Sequence, residues 1–589
     1  VKKIERPEGH LSNAVKWKSD IAAEMLRRSK IPYVALNPGA SYRGFHDSLV
    51  NYLGNENPQM LLCLHEDHVV SIAHGYGKAL DEPMACVLHS NVGLMHGLMG
   101  IFNAWCDRIP MLIVGATGPV QPEKRRPWID WIHTAKDQGA LLRNYTKWDD
   151  EPRSADGIVE AFLRGNQITR TSPKAPVYIC LDAGLQEEEA PDNFHIPDAG
   201  RYGSARPSGA TESDISEIKG LIEKSRKPLF LMGRGSRDLG DWSRRIELAE
   251  KAGAYVITSV RERAIFPTDH ARHPAPPLTS LQPEAKPFFE QADLIISFDW
   301  ADLAGLLKQV ERHPDKLPAR IVHISQDRAL HNGWSMDYFG LPPADISLDA
   351  NPDTLVTQLV SALGPLHRET WVGMKLPERK APTYSPQSDT KIVPFDLEVA
   401  IAELAAKRPI CLAHTNLGWT GRAYQLHGPL DYLGHDGGGG LSAGPGLTIG
   451  AAIALRDSGR MVVGVLGDGD LMQGITSLWT AAHYSIPALM IVANNRSNFN
   501  DEVHQEAMAK VRGRPVENKW IGQRIDDPAV NFVSIANGQG VEGEGPVETI
   551  PALMAAIERG LKVVDAGRPY LIDARIVPGT ISKIVHRGD

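Results

Sequence analysis

The chain has 589 residues, 42% hydrophobic and 23% charged, an ordinary balance for a globular protein and enough chain for about three to four domains. Lys plus Arg number 63 and Asp plus Glu 71, a formal net charge of -8 that argues against nucleic-acid binding through bulk charge. No apolar run approaches the ~20 residues of a membrane helix, and Gly and Pro are spread without a period, which excludes a fibre. The start VKKIERPEGH is charged and has no signal-peptide core. Cys63, Cys86, Cys106, Cys180 and Cys411 form no CxxC, so the expectation is a cytoplasmic protein with reduced thiols.

The first region, 11–186, alternates short apolar runs (IPYVAL, PMACVLH, PMLIVGA, APVYICL) with amphipathic stretches such as VVSIAHGYGKAL, the texture of buried parallel strands joined by helices. Glu66 ends the run MLLCL and opens a helical stretch, so its carboxylate points into the ligand edge of the predicted sheet. The segment 187–209 is rich in Pro, Gly and charge and reads as a linker. The second region, 210–363, repeats the texture with KPLFLMG, AYVITS, ADLIISFD and ARIVHIS, and a breaker-rich stretch at 364–389 follows. The third region, 390–589, has RPICLAH, RMVVGVLGDGD, IPALMIVANN and RPYLIDARIV. The expected fold class is α/β, with three doubly wound parallel-sheet domains in series.

The sharpest feature lies in the third region. The predicted strand MVVGVL runs into Gly467-Asp468-Gly469-Asp470, and a second strand ends at Asn494-Asn495, 27 residues after Asp468. Strand, helix and strand in that length make one βαβ unit, which puts both strand ends on one sheet edge. Two oxygen donors there suit a hard cation such as Mg²⁺, which needs about six oxygens, some of them from a bound diphosphate and one from a backbone carbonyl near Ser497. Gly467 and Gly469 allow close backbone approach, and helix-start amides favour phosphate. Each motif alone reads equally as a turn.

GDGD…NN with this spacing resembles the binding motif of thiamine diphosphate (ThDP) enzymes of the decarboxylase and carboligase group. The resemblance implies that Asp468, Asn495 and the Ser497 carbonyl hold Mg²⁺ on the cofactor diphosphate. It makes the three domains pyrimidine-binding, central and diphosphate-binding. His65-Glu66-Asp67-His68 leading into His74-Gly75-Tyr76 is similar to the family's glutamate setting, which implies that Glu66 bonds to the pyrimidine N1′. Gly438-Gly439-Gly440-Leu441 resembles the Gly-rich turn whose large apolar residue props the cofactor, with Leu441 the candidate against a plain core leucine. Asn37-Pro38-Gly39-Ala40-Ser41 resembles a loop facing the active site.

Within the group the first region is most similar to the benzoylformate decarboxylases. That implies an active-site histidine at His89, 23 residues after Glu66, with His65, His68, His74 and His96 as alternatives. Three departures stand out: Ala40 follows Asn-Pro-Gly and Ser41 comes one place later, the middle-region stretch SFDWADLAGLL lacks the second histidine of that group, and the segment after Asn495 is long and charged. In that segment His504 could donate a proton or lie on a solvated helix face, and Arg496 and Lys519 could bind an acidic substrate. The implied activity is ThDP- and Mg²⁺-dependent decarboxylation of a 2-oxo acid or acyloin formation, in a homodimer at minimum and a homotetramer as the expected form. The alternatives are an acetolactate synthase-like carboligase, with FAD at Gly233-Arg234-Gly235 not favoured, and an inactive cofactor-binding homologue.

Overall fold

A computed structural model describes residues 5–9, 11–12, 14–330, 340–365, 367–376 and 391–578. Part of the stretch expected at 364–389, and the last residues of the third region, lie outside them. The apolar runs form the strands β1 (Tyr33–Leu36), β2 (Gln59–Leu62), β3 (Ala85–Leu88), β4 (Met111–Thr117) and β6 (Pro176–Asp182), and the half-buried acidic pair Asp149–Asp150 forms the edge strand β5. All seven residues of β4 and all seven of β6 are buried, as helices on both faces of a parallel sheet require. The strand order is β2-β1-β3-β4-β6-β5 and every pairing is parallel. From β1 the chain turns one way to β2, and from β3 the other way to β4. The crevice between the ends of β1 and β3 is therefore the switch point where such sheets bind ligands.

The second sheet contains β7 (Pro228–Met232), β8 (Tyr255–Ile257), β9 (Leu294–Phe298), β10 (Arg320–Ile324) and β11 (Ile346–Leu348), in the order β11-β10-β9-β7-β8. After β12 (Ile410–His414), the third sheet runs through β13 (Met461–Gly467), β14 (Leu489–Asn494), β15 (Glu542–Val547) and β16 (Tyr570–Arg575), with β13-β14-β16-β15 as neighbours. Three parallel-sheet α/β domains are thus present, as the apolar pattern implied.

Their grouping departs from their serial order. By contact the chain forms two compact units. One is Val1–Ala205 with Asp436–Val547 and Ala556–Ala574; the other is Arg206–His435 with Glu548–Ala555 and Arg575–Asp589. Within the first unit, helices α1 (Glu66–Leu80), α2 (Ser90–Cys106), α3 (Ala443–Ala454), α4 (Asp468–Gly474), α5 (Ser477–His483) and α6 (Phe499–Val511) carry the residues of interest. Helices α1 and α3 meet backbone to backbone. A β-carbon at Gly75 would collide with the Leu447 carbonyl, one at Gly450 with the Ile72 carbonyl, and one at Gly446 with the Ser71 hydroxyl. Across the same unit His68 Nε2 lies 2.8 Å from Thr476 Oγ1, just before α5, and the Thr480 hydroxyl donates to the Leu62 carbonyl at 2.9 Å. Among the described residues no helix is long and apolar enough to cross a membrane.

Candidate active site

The Asn37–Ser41 loop leaves β1 at the switch point and is held from three sides. The Asn37 side-chain amide donates to the Cys63 carbonyl at 3.1 Å, the Tyr42 hydroxyl donates to the Asn37 carbonyl, and Gln186 donates to the Ser41 carbonyl at 3.0 Å. Gly39 lies against the His89 ring, where a β-carbon would collide. His89 leaves β3 across the crevice. Ser41 Oγ sits 2.9 Å from His89 Nδ1 and accepts the Ser90 amide at 3.1 Å, so the displaced serine does face the histidine. Burial lowers the pKa of His89 from the ordinary imidazole value. His133, whose ring meets it edge-on at 4.7 Å, and Arg126 add to the shift, and Glu66 opposes it. Sequence reasoning passed over His133, which sits in the loop beyond β4 with no motif around it.

Glu66 opens α1 and is 7% exposed. Its Oε2 lies 3.0 Å from His96 Nδ1. The neighbouring histidines divide by task. His65 caps α1 by accepting the Asp67 amide at 3.1 Å, His68 reaches Thr476, and buried His74 bonds Asp107 at 2.8 Å. Asp67 accepts a hydrogen bond from the Ser442 hydroxyl of the third region, and burial is what raises its pKa.

In the third region Gly467 pairs in register with Ala493, so Asp468 and Asn495 leave adjacent strands side by side. The Ser497 amide donates to both, at 3.2 Å to Asp468 Oδ2 and 2.9 Å to Asn495 Oδ1. The pair of asparagines splits: Asn494 turns inward to Asp573 at 2.8 Å, which leaves Asn495 at the edge. Asp468 is 4% exposed, and burial raises its carboxyl to about 6 against hydrogen bonds from backbone amides. Helix α4 begins at Asp468 itself, so GDGD is a helix start rather than a separate turn. Asp470 Oδ1 accepts the Ser442 and Gly444 amides at 2.9 and 3.3 Å and so caps α3. Gly440 docks on α2, bonded to Asn103 at 3.3 and 3.4 Å. Leu441 is 39% exposed. His504 is exposed on α6; Lys519 pairs with Glu506 and Arg496 with Asp526.

In the second sheet the order reverses between β7 and β9. That crevice is filled: Arg234 forks onto Asp299 with two 3.0 Å bonds and also pairs with Asp327, while Gly233 presses on the Asp299 backbone.

Three parallel sheets with buried oxygen donors at adjacent strand ends define a cofactor-binding α/β protein. The N-terminal TPP binding domain of thiamine pyrophosphate enzymes matches residues 17–141, the central domain 215–333 and the C-terminal TPP binding domain 415–574. The chain belongs to the thiamine pyrophosphate enzyme family and is a ThDP-dependent enzyme. It is 26% identical to benzoylformate decarboxylase of Pseudomonas aeruginosa over 562 residues, covering 93% of this chain and 97% of that protein. It is 24% identical to the acetolactate synthase isozyme 1 large subunit of Escherichia coli, covering 89% and 88%. Its fold is that of the Rhodococcus jostii ThDP-dependent 4-hydroxybenzoylformate decarboxylase (TM-score 0.76, 22% identity, 96% of this chain and 100% of that one). It is likewise that of benzoylformate decarboxylase from Polynucleobacter necessarius (TM-score 0.78, 19% identity, 96% and 99%).

Proposed function

We propose that this chain is a ThDP- and Mg²⁺-dependent lyase or carboligase acting on a 2-oxo acid, similar to the benzoylformate decarboxylases. In this reading residues 11–186 bind the pyrimidine, 210–363 link, and 390–589 bind the diphosphate. The observation that carries it is the Ser497 amide shared by Asp468 and Asn495 at two adjacent strand ends. The donors fit the cation: all are oxygens, and a buried carboxylate whose ionised form is disfavoured by desolvation gains most from a divalent ion. Asp468, Asn495 and the Ser497 carbonyl would hold it, and Gly467 and Gly469 would let the diphosphate approach.

When bound, the cofactor supplies a carbon nucleophile and an electron sink for loss of carbon dioxide. Glu66 holds and exchanges a proton at the pyrimidine ring nitrogen. His89 and Ser41, in mutual contact, move a proton at the substrate's reacting end, His89 being kept largely neutral by burial. Leu441 is the proposed prop for the cofactor. The proposed assembly is a homodimer at minimum, with homotetramer the expected form. Exposed Met95 and Met99 on α2, Met99 lying beside Gly440, together with exposed Leu441 support a second copy there.

The competing carboligase reading rests on the acetolactate synthase relatives. The filled crevice between β7 and β9 supports a central domain that works without flavin. The test is a panel of 2-oxo acids assayed with ThDP and Mg²⁺ for both carbon dioxide and acyloin. We expect carbon dioxide release that needs both cofactors. Acetolactate from pyruvate moves the assignment to the carboligase, and no product from any acid with ThDP bound overturns both.

A further inference from the structure

We propose that Glu502 is a positioning residue for the metal site, holding the Ser497 hydroxyl so that the Ser497 carbonyl faces the ion, an inference that rests on the metal reading of Asp468, Asn495 and Ser497 above. Glu502 lies on α6, the helix that follows the Asn495–Ser497 loop. Of the thirteen residues of α6, Glu502 alone is buried, at 3% exposure. A surface helix ordinarily turns an apolar stripe inward. Here the one side chain turned inward is a carboxylate. Burying a carboxylate costs free energy unless it is bonded, and Glu502 is bonded to the loop itself: the Ser497 hydroxyl donates to Oε1 at 2.5 Å. Arg524 Nε lies 3.7 Å from the same oxygen.

These contacts leave Ser497 one uncommitted polar group. Its amide is shared by Asp468 and Asn495, and its hydroxyl goes to Glu502. Among the described residues no group donates to its carbonyl, although the residue is only 6% exposed. Buried backbone carbonyls normally find a partner, and a cation at the edge of the sheet would supply one.

The backbone on either side is pinned by the returning chain. The Asn498 amide donates to the Gln523 carbonyl at 2.9 Å, and the Ile525 amide donates to the Arg496 carbonyl at 2.8 Å. Ser497 itself bridges to Arg524 in antiparallel fashion. With its neighbours fixed, the bond to Glu502 removes the freedom that remains at Ser497. Direction matters for the ion proposed here. Mg²⁺ demands near-ideal octahedral oxygens at about 2.0–2.1 Å, whereas Ca²⁺ tolerates irregular ones at about 2.3–2.6 Å.

The experiment measures Mg²⁺ and Ca²⁺ affinity by titration calorimetry in the presence of ThDP. Glu502→Ala, which loses the grip, and Ser497→Ala, which loses it but keeps the carbonyl, should each weaken Mg²⁺ binding on the order of 10-fold to 100-fold. The double variant should be no weaker than either single one, because both remove the same bond. Glu502→Gln can still accept from the hydroxyl and should stay close to the parent. The loss should be larger for Mg²⁺ than for Ca²⁺. Parent-like Mg²⁺ affinity in Glu502→Ala, additive losses in the double variant, equal losses for the two ions, or a Glu502→Gln as weak as Glu502→Ala would each overturn the positioning role. Unchanged Mg²⁺ dependence in Asp468→Ala would instead remove the metal site on which that role depends.

Discussion

Asp468 and Glu66 are both buried carboxylates at helix starts, yet they meet different surroundings and should fail differently. Asp468 shares a backbone amide with Asn495, so Asp468→Ala should weaken Mg²⁺-dependent ThDP binding by about 10-fold to 100-fold, as loss of a metal-site group typically does. Titration calorimetry with and without Mg²⁺ measures this, and unchanged affinity discards the metal site. Glu66→Gln should keep ThDP and lose on the order of 10²-fold to 10⁴-fold in turnover. Equilibrium binding beside steady-state rates separates the two effects. At this scale Asp468, Asn495 and Glu66 were legible because each ends a predicted strand, where the α/β rule places ligands. Asp470 was not: its neighbour in space is the Ser442 amide, 28 residues away, and nothing in a GDGD string announces a helix cap. His133 was hidden likewise, since a histidine's task depends on what faces its ring.

Between elements, two contacts set how the first and third regions hold together. His68 joins α1 to the start of α5 through Thr476, and burial pulls its pKa down from 6.5 to about 4. The folded state therefore resists protonation that the unfolded chain accepts. The contribution is fully present above about pH 6.5 and lost progressively as pH falls towards 4, on the order of 3 kcal/mol in all. Urea unfolding from pH 7.5 down to 4.5 should show a steeper loss in the parent than in His68→Asn, and equal slopes would reject the assignment. The second contact is the glycine seam of α1 and α3. Gly450→Ala should destabilise the fold by about 1–3 kcal/mol, because the obstacle is backbone rather than a movable side chain. Thermal unfolding checks it, and an unchanged midpoint refutes the close contact. The long apolar strands could be read from their runs. The edge strand β15, Glu542–Val547, could not: with Glu, Gly and Pro in alternation it has neither an apolar run nor a period, and its pairing with β16 alone makes it a strand.

Over the whole molecule, apolar periodicity reveals three sheets but not which sheets share a unit. That depends on glycines and polar side chains that meet across hundreds of residues, such as Thr480 with Leu62. If the proposed homodimer is the active form, then specific activity should fall on dilution in step with dissociation seen by sedimentation. Constant activity in a monomer would reject the dimer as the active form.

The glycine seam also bears on how this chain can be recombined with others. A seam of backbone against backbone has no side-chain layer to absorb a foreign surface. Residues 11–186 and the part of the third region grouped with them, Asp436–Val547, should therefore be inherited as a matched pair, while the central sheet, grouped in the other unit, should be exchangeable. Chimeras with a relative's central domain should give folded, ThDP-binding protein, and those with a relative's first region alone should aggregate.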